Sequence, residues 1–141
     1  MSGRYPYIKR SSYPHMIGED LIVWNRFVDR FPHRFDSVDY DWRVGQGMAL
    51  QESWEDTIKR MATMITQKRI DVIGWNGEVP TIIEVKKNVN TGTLGQILTY
   101  QYLFEQEFPH FPKPSLLVVC AQMDVDDMSV LGGFKIPVEV V

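Results

Sequence analysis

The run Arg69-Ile-Asp71-Val-Ile-Gly-Trp75, Asn76-Gly77, Glu78-Val-Pro80-Thr-Ile-Ile-Glu84-Val-Lys86 decides how this chain is read. Two segments rich in Ile, Val and Trp flank Asn-Gly, the strongest short-range signal for a β-hairpin. If Asn76-Gly77 is a two-residue loop, Trp75 pairs with Glu78, Asp71 with Ile82, and Arg69 with Glu84. Opposed residues share a face, as do alternate residues along a strand. Arg69, Asp71, Glu84 and Lys86 are therefore expected on one side of the hairpin, and Ile70, Val72, Ile83 and Val85 on the other. Pro80 threatens this register, because it cannot donate to the ladder and an odd slip would separate the acids.

In that register Asp71 and Glu84 are diagonal neighbours, roughly 7 to 8 Å apart at the backbone. Two carboxylates at such a spacing can hold one divalent ion. Hard oxygen ligands in small number suit Mg²⁺ or Mn²⁺ rather than zinc. Lys86, two residues beyond Glu84, can hold a water or neutralise charge on a phosphate. Taken alone, however, an Asp followed at a distance by Glu-x-Lys is more often an exposed hairpin face carrying a cross-strand salt bridge.

Outward from the hairpin the chain alternates between helical and extended patterns. Leu21, Trp24, Val28 and Phe31 predict a helix over 19–31, between Gly18 and Pro32. Val38, Tyr40 and Trp42 alternate with Asp39, Asp41 and Arg43 and predict a half-buried strand over 35–44, closed by Gly45-Gln-Gly47. Leu50, Trp54, Ile58, Met61 and Ile65 predict an amphipathic helix inserted near residues 47–66. After the hairpin come a helix over 93–107, an apolar strand over 115–121, a helical turn over 124–131 and a strand over 136–141. Gln96 and Tyr100, at i and i+4, share one face of the helix that follows Lys86. The fold class is α/β, a mixed sheet flanked by helices.

With 141 residues and 44% hydrophobic content the chain suits one domain, expected over 19–141. It has no apolar run near the roughly 20 residues of a membrane span and no secretory leader pattern, so no membrane partner and a cytoplasmic setting are expected. Cys120, in the apolar run Leu116 to Ala121, is expected to be a buried small hydrophobe. His15, His33 and His110 are too scattered for structural zinc. The net charge of −3 gives no global push toward nucleic acid. Residues 1–18, however, carry Arg4, Lys9 and Arg10 without an acid, among Tyr5, Tyr7 and Tyr13. They read as an extended basic, aromatic arm for nucleic acid or a partner, or else as a terminus packed across the domain.

Arg69-Ile-Asp71, Ile82-Ile-Glu84-Val-Lys86 and Gln96-Ile-Leu-Thr-Tyr100, in this order and at these distances, resemble the catalytic hairpin and following Q-x-x-x-Y helix of the PD-(D/E)xK, or restriction-endonuclease-like, nucleases. Ile70 stands where that superfamily usually has Pro. The resemblance is close over 69–104 and looser over 19–121, where it implies an α-β-β-β-α-β core. It implies Mg²⁺-dependent hydrolysis of phosphodiesters in DNA. Asp71, Glu84 and the Val85 carbonyl would hold Mg²⁺ or Mn²⁺, Lys86 would position the water, and Gln96 and Tyr100 would support the site. An acid of the first helix often joins such sites, and Glu19 is the candidate, though an acid at a helix start is also favoured by the helix dipole. Glu52 and Glu55 are weaker candidates. Arg4, Lys9, Arg10, Arg69 and Lys87 are candidates for contacts to nucleic acid. A homodimer or a partner protein would supply grip on DNA, and a phage source would place the protein in host cytoplasm or virion. The rival reading is a silent nuclease-fold module, such as a phage particle or replication component; an RNA substrate is a third.

Overall fold

A computed structural model describes residues 2–141 as one six-stranded sheet between two helical layers. The elements are β1 (Tyr5–Pro6), α1 (Gly18–Arg30), β2 (Ser37–Val44), α2 (Asp56–Thr66), β3 (Lys68–Asn76), β4 (Val79–Asn88), α3 (Gly92–Glu107), β5 (Ser115–Gln122), α4 (Val125–Gly133) and β6 (Val138–Val140). The strands lie in sequence order, with β1 to β4 antiparallel and β5 and β6 joined in parallel. The parallel step from β4 to β5 needs a crossover, which α3 provides. No helix of the described residues is long and apolar enough to cross a membrane.

Each face of the sheet buries its own cluster. On the α1 side, Val23, Trp24, Phe27 and Val28 pack on Val38, Tyr40, Val72, Ile83, Val85, Leu117 and Val119. On the α3 side, Ile97, Tyr100 and Phe104 pack on Val44, Ile70, Ile73, Trp75, Ile82, Val118 and Cys120. Central strands covered on both faces lose the simple alternation of apolar and polar residues, which explains the continuous apolar run of β5. Gly74 faces Phe35, whose ring leaves no room for a Cβ there.

The hairpin differs from its expected register by two residues. Asn76 pairs with Val79 and Trp75 with Pro80, so the loop is Gly77-Glu78, with Gly77 at φ +59°. Asn76 continues the strand while Gly77 takes the left-handed position, a conformation glycine adopts without Cβ strain. Pro80 is accommodated opposite Trp75, whose carbonyl accepts instead from the Asp36 N–H on the other side of the strand. Because the slip is even, side-chain parity within β4 survives.

Parity fails elsewhere, at Asp41 and Asp71. Tyr40 pairs with Val72 and Trp42 with Ile70, but the residues between them, Asp41 and Asp71, are not a ladder pair. Asp41 has φ +54°. Before this point Val38, Tyr40 and Val72 face α1; beyond it Trp42, Val44 and Ile70 face α3. Ile70 was expected beside Val72 and is found on the opposite face, because both strands turn over together.

Two further expectations are corrected. Residues 2–18 are not a free arm: Tyr5–Pro6 form the edge strand on β2, and Tyr7, Tyr13 and Met16 are buried in the α1-side cluster. The Tyr7 hydroxyl donates to the Phe31 carbonyl, and the Tyr13 hydroxyl bonds Asn25. Of the two readings of this segment, the terminus packed across the domain is the one found, because the aromatic area of these side chains closes the open α1 side. The inserted helix starts at Asp56, so Leu50 and Trp54 lie before it, and only Ala62 of α2 is buried. Its apolar residues Ile58, Met61 and Ile65 are exposed, since Gly45, Thr66 and Gln67 tether this segment beside the sheet rather than over it.

The packed terminus is testable by thermal unfolding. Tyr7→Ala should cost about 3 kcal/mol, or roughly 10 °C in Tm, as for other buried aromatics. Deletion of residues 2–12 should cost more. An unchanged Tm after the deletion would restore the free arm.

Candidate active site

The site grows from the point where the β3–β4 ladder stops. The last pair is Val72 with Ile83, and the next step sets Asp71 level with Glu84. Instead of a further backbone pair, the Val85 N–H donates to Asp71 Oδ2 at 2.9 Å. The Asp71 side chain thus replaces a ladder carbonyl, which fixes its carboxylate beside that of Glu84. Ile83 and Val85 point to α1, so Glu84 and Lys86 alternate toward α3.

Glu84 is 4% exposed, and its Oε2 is buried without a hydrogen-bond partner. Burial, then the neighbouring Asp71 carboxylate, pushes Glu84 up to about 9, with Lys86 opposing. Burial also raises Asp71, against the Val85 N–H. The two carboxyl groups are close enough to share a hydrogen bond, and together they hold one proton more than ordinary carboxylates would at neutral pH. Tyr100 is raised by burial and by both acids, which keeps its phenol a proton donor. Gln96, exposed, lies with Tyr100, Thr99 and Lys68 along one hollow.

The acid of α1 that reaches this pair is Asp20, which acts on both Asp71 and Glu84 and accepts from the Lys87 N–H at 3.1 Å. Glu19 turns away into an ion pair with Lys87 Nζ at 2.8 Å. Spacing alone does not make this choice, since Glu19 stands four residues before the buried Val23 and Asp20 four before the buried Trp24. The candidate nucleic-acid contacts are distributed differently from one another. Arg4 is tied to the buried Asp39, which also accepts from the Trp75 indole, and Lys9 pairs with the exposed Asp29. Arg10 lies over the Tyr5 ring, 5.1 Å from its centroid. Arg69 turns to Asp41, at 3.7 Å, rather than joining Glu84. Among the described residues, no three His, Cys, Asp or Glu side chains form a group that could hold a metal ion.

No protein-family model matches this chain, and no curated protein does. Among solved structures it is similar to the crystal structure of a protein of unknown function, AF1548, with 17% identity and a TM-score of 0.40. The match covers 82% of this chain and 55% of that one, so the chain spans about half the length of that structure. A likeness at this level decides neither fold nor function.

The proton on the acid pair has a consequence for stability. Glu84 titrates near its ordinary 4.5 when unfolded and near 9 when folded, so folding takes up a proton between these values. The contribution is complete below about pH 4.5 and is lost as pH rises toward about 9. Glu84→Gln stays neutral and removes that slope. Without divalent ions the variant should melt above wild type at pH 8 to 9 and close to it near pH 5. Parallel melting curves across that range would show that Glu84 ionises normally.

Proposed function

We propose that this chain is a metal-dependent nuclease that hydrolyses phosphodiester bonds in DNA, on a restriction-endonuclease-like core. The observation that carries the reading is the half-buried Asp71 beside the buried Glu84, with an orphaned Glu84 oxygen and Lys86 next to it. The succession α1, β2, β3, β4, α3, β5, with α2 inserted, supports it as the element order that the sequence motif leads one to expect.

The donor set fits Mg²⁺ or Mn²⁺. Such ions commonly bind through one or two carboxylates and keep several waters, so a group of three acidic ligands is not required. Asp71 and Glu84 would hold the ion with the Val85 carbonyl, and Asp20 would add negative charge nearby. The ion would supply activation of water and stabilisation of charge on the phosphate. In the hydrolysis, water adds to phosphorus, one ester P–O bond breaks, and the leaving sugar oxygen gains a proton. Lys86 would hold the phosphate oxygens as their charge grows. The Val85 amide keeps Asp71 in one rotamer throughout, and Tyr100 offers a neutral phenol as donor. Gln96, next to Tyr100 on the exposed side, would steady the phosphate.

Two measurements separate this reading from a silent module. Mn²⁺ or Mg²⁺ should raise the Tm of wild type and release a proton on binding, visible as calorimetric heats that vary with buffer ionisation enthalpy. Asp71→Asn and Glu84→Gln should abolish both this response and cleavage. Lys86→Ala should keep the Tm response and lose about 10² to 10³ in rate. Wild type with neither cleavage nor a metal response would leave the acid pair as a remnant in a binding or structural protein.

A further inference from the structure

A cleft of about 450 Å³ opens beside the acid pair, on the β2–β3 side, and its lining includes Asp71. It lies where the two strands turn over. Asp41, at φ +54°, and Arg69 form its polar wall, while Pro14, Met16 and Ile65 form an apolar one. The volume falls within the roughly 300 to 1,000 Å³ of small-molecule sites, and an apolar wall with a few converging polar groups is their usual character. We propose that this cleft receives one unpaired nucleobase next to the scissile phosphate, so that the substrate is a single strand, flap or frayed end rather than a closed duplex. The proposal rests on the nuclease reading above.

Three observations support a base over other occupants. Asp41 Oδ1 is buried without a hydrogen-bond partner, and Arg69 Nη1, at 3.7 Å, stands beyond bonding distance from it. Both side chains stay part-exposed at the cleft, and a carboxylate beside a cationic donor matches a base edge, on which N–H groups and carbonyl or ring-nitrogen acceptors stand side by side. Second, two carboxylates line the cleft, which disfavours a phosphate inside it but not a neutral base. Arg69 equally disfavours a second cation. Third, Asp41 is a non-glycine residue in the left-handed region, a costly conformation that persists where surrounding structure holds it and that concentrates at ligand sites. Pro14, Met16 and Ile65 offer the face of a base an apolar contact. A base can enter a cleft walled in this way only by leaving its stack, which costs least when it has no partner.

Binding in EDTA tests this without hydrolysis. Labelled single-stranded and blunt duplex oligonucleotides of equal length would be compared by fluorescence anisotropy, with nucleoside monophosphates as competitors. Wild type should prefer the single strand by tenfold or more. Asp41→Asn, which keeps shape and tolerates positive φ, and Arg69→Met, which keeps the apolar stem, should each reduce the preference to within about threefold at unchanged Tm. If one variant unfolds, the other decides. Equal or tighter duplex binding, or a preference untouched in a folded variant, overturns the proposal. So does displacement of the strand by micromolar mononucleotide, which would make the cleft a site for free nucleotide. Cleavage with Mg²⁺ but no strand preference would overturn the cleft alone; no binding of either form, with no cleavage, would remove both readings.

Discussion

The Asp71 carboxylate, bonded to the Val85 amide, holds together the part of the molecule on which the rest of the site depends. It takes over where backbone pairing between β3 and β4 ends and seals the strand junction with a side chain. The cost is desolvation of an acid against a second acid, Glu84, and the result is a pair that retains a proton. Three neighbours temper that repulsion differently. The Val85 N–H and Lys86 favour the ionised pair, whereas Asp20 opposes it. Buried like charges are hard to explain as a source of stability, since apolar side chains of similar volume would pack there at less cost. A cation bound as proposed above would offset that cost.

The same strand junction creates the cleft. Antiparallel strands keep their faces only while pairing is regular, and β2 and β3 both reverse at Asp41 and Asp71. The reversal lets Trp42 and Val44 join the α3-side cluster while Tyr40 and Val38 remain under α1. It also sends Asp71 toward both the acid pair and the cleft beside Arg69. Packing on two sides of one sheet and the placing of polar groups at its rim are thus one event. The amino-terminal segment completes it, because Tyr7, Tyr13 and Met16 close the α1 side and Pro14 and Met16 wall the cleft.

Much of this was legible in the sequence. Apart from the start of α2 and the edge strand β1, periodicity set the helices and strands to within a few residues, since 3.6- and 2-residue repeats follow from local geometry. The hairpin and the neighbourhood of Asp71, Glu84 and Lys86 followed from one stretch of 18 residues, and the α/β class from the alternation of helical and extended patterns along the chain. The even slip of the hairpin left Glu84 and Lys86 on one side of β4, whereas Asp71 reaches Glu84 where the strands turn over, through its bond to the Val85 N–H.

What only the tertiary structure decided lies in contacts between segments distant in sequence. No local pattern distinguishes a basic, aromatic arm that binds a partner from one that packs on α1, because the same Tyr side chains serve either use. Nor does a strand pattern announce where two strands turn over together, which requires the pairing of β2 with β3 and hence residues 30 positions apart. The choice of Asp20 over Glu19 depended on where α1 docks, and the outward face of α2 on the absence of a surface for it to meet. Sequence by itself determined which segments form and which chemistry they carry. The folded sheet decided which of those groups share a space, since burial and approach are properties of the assembled layers and not of any segment alone.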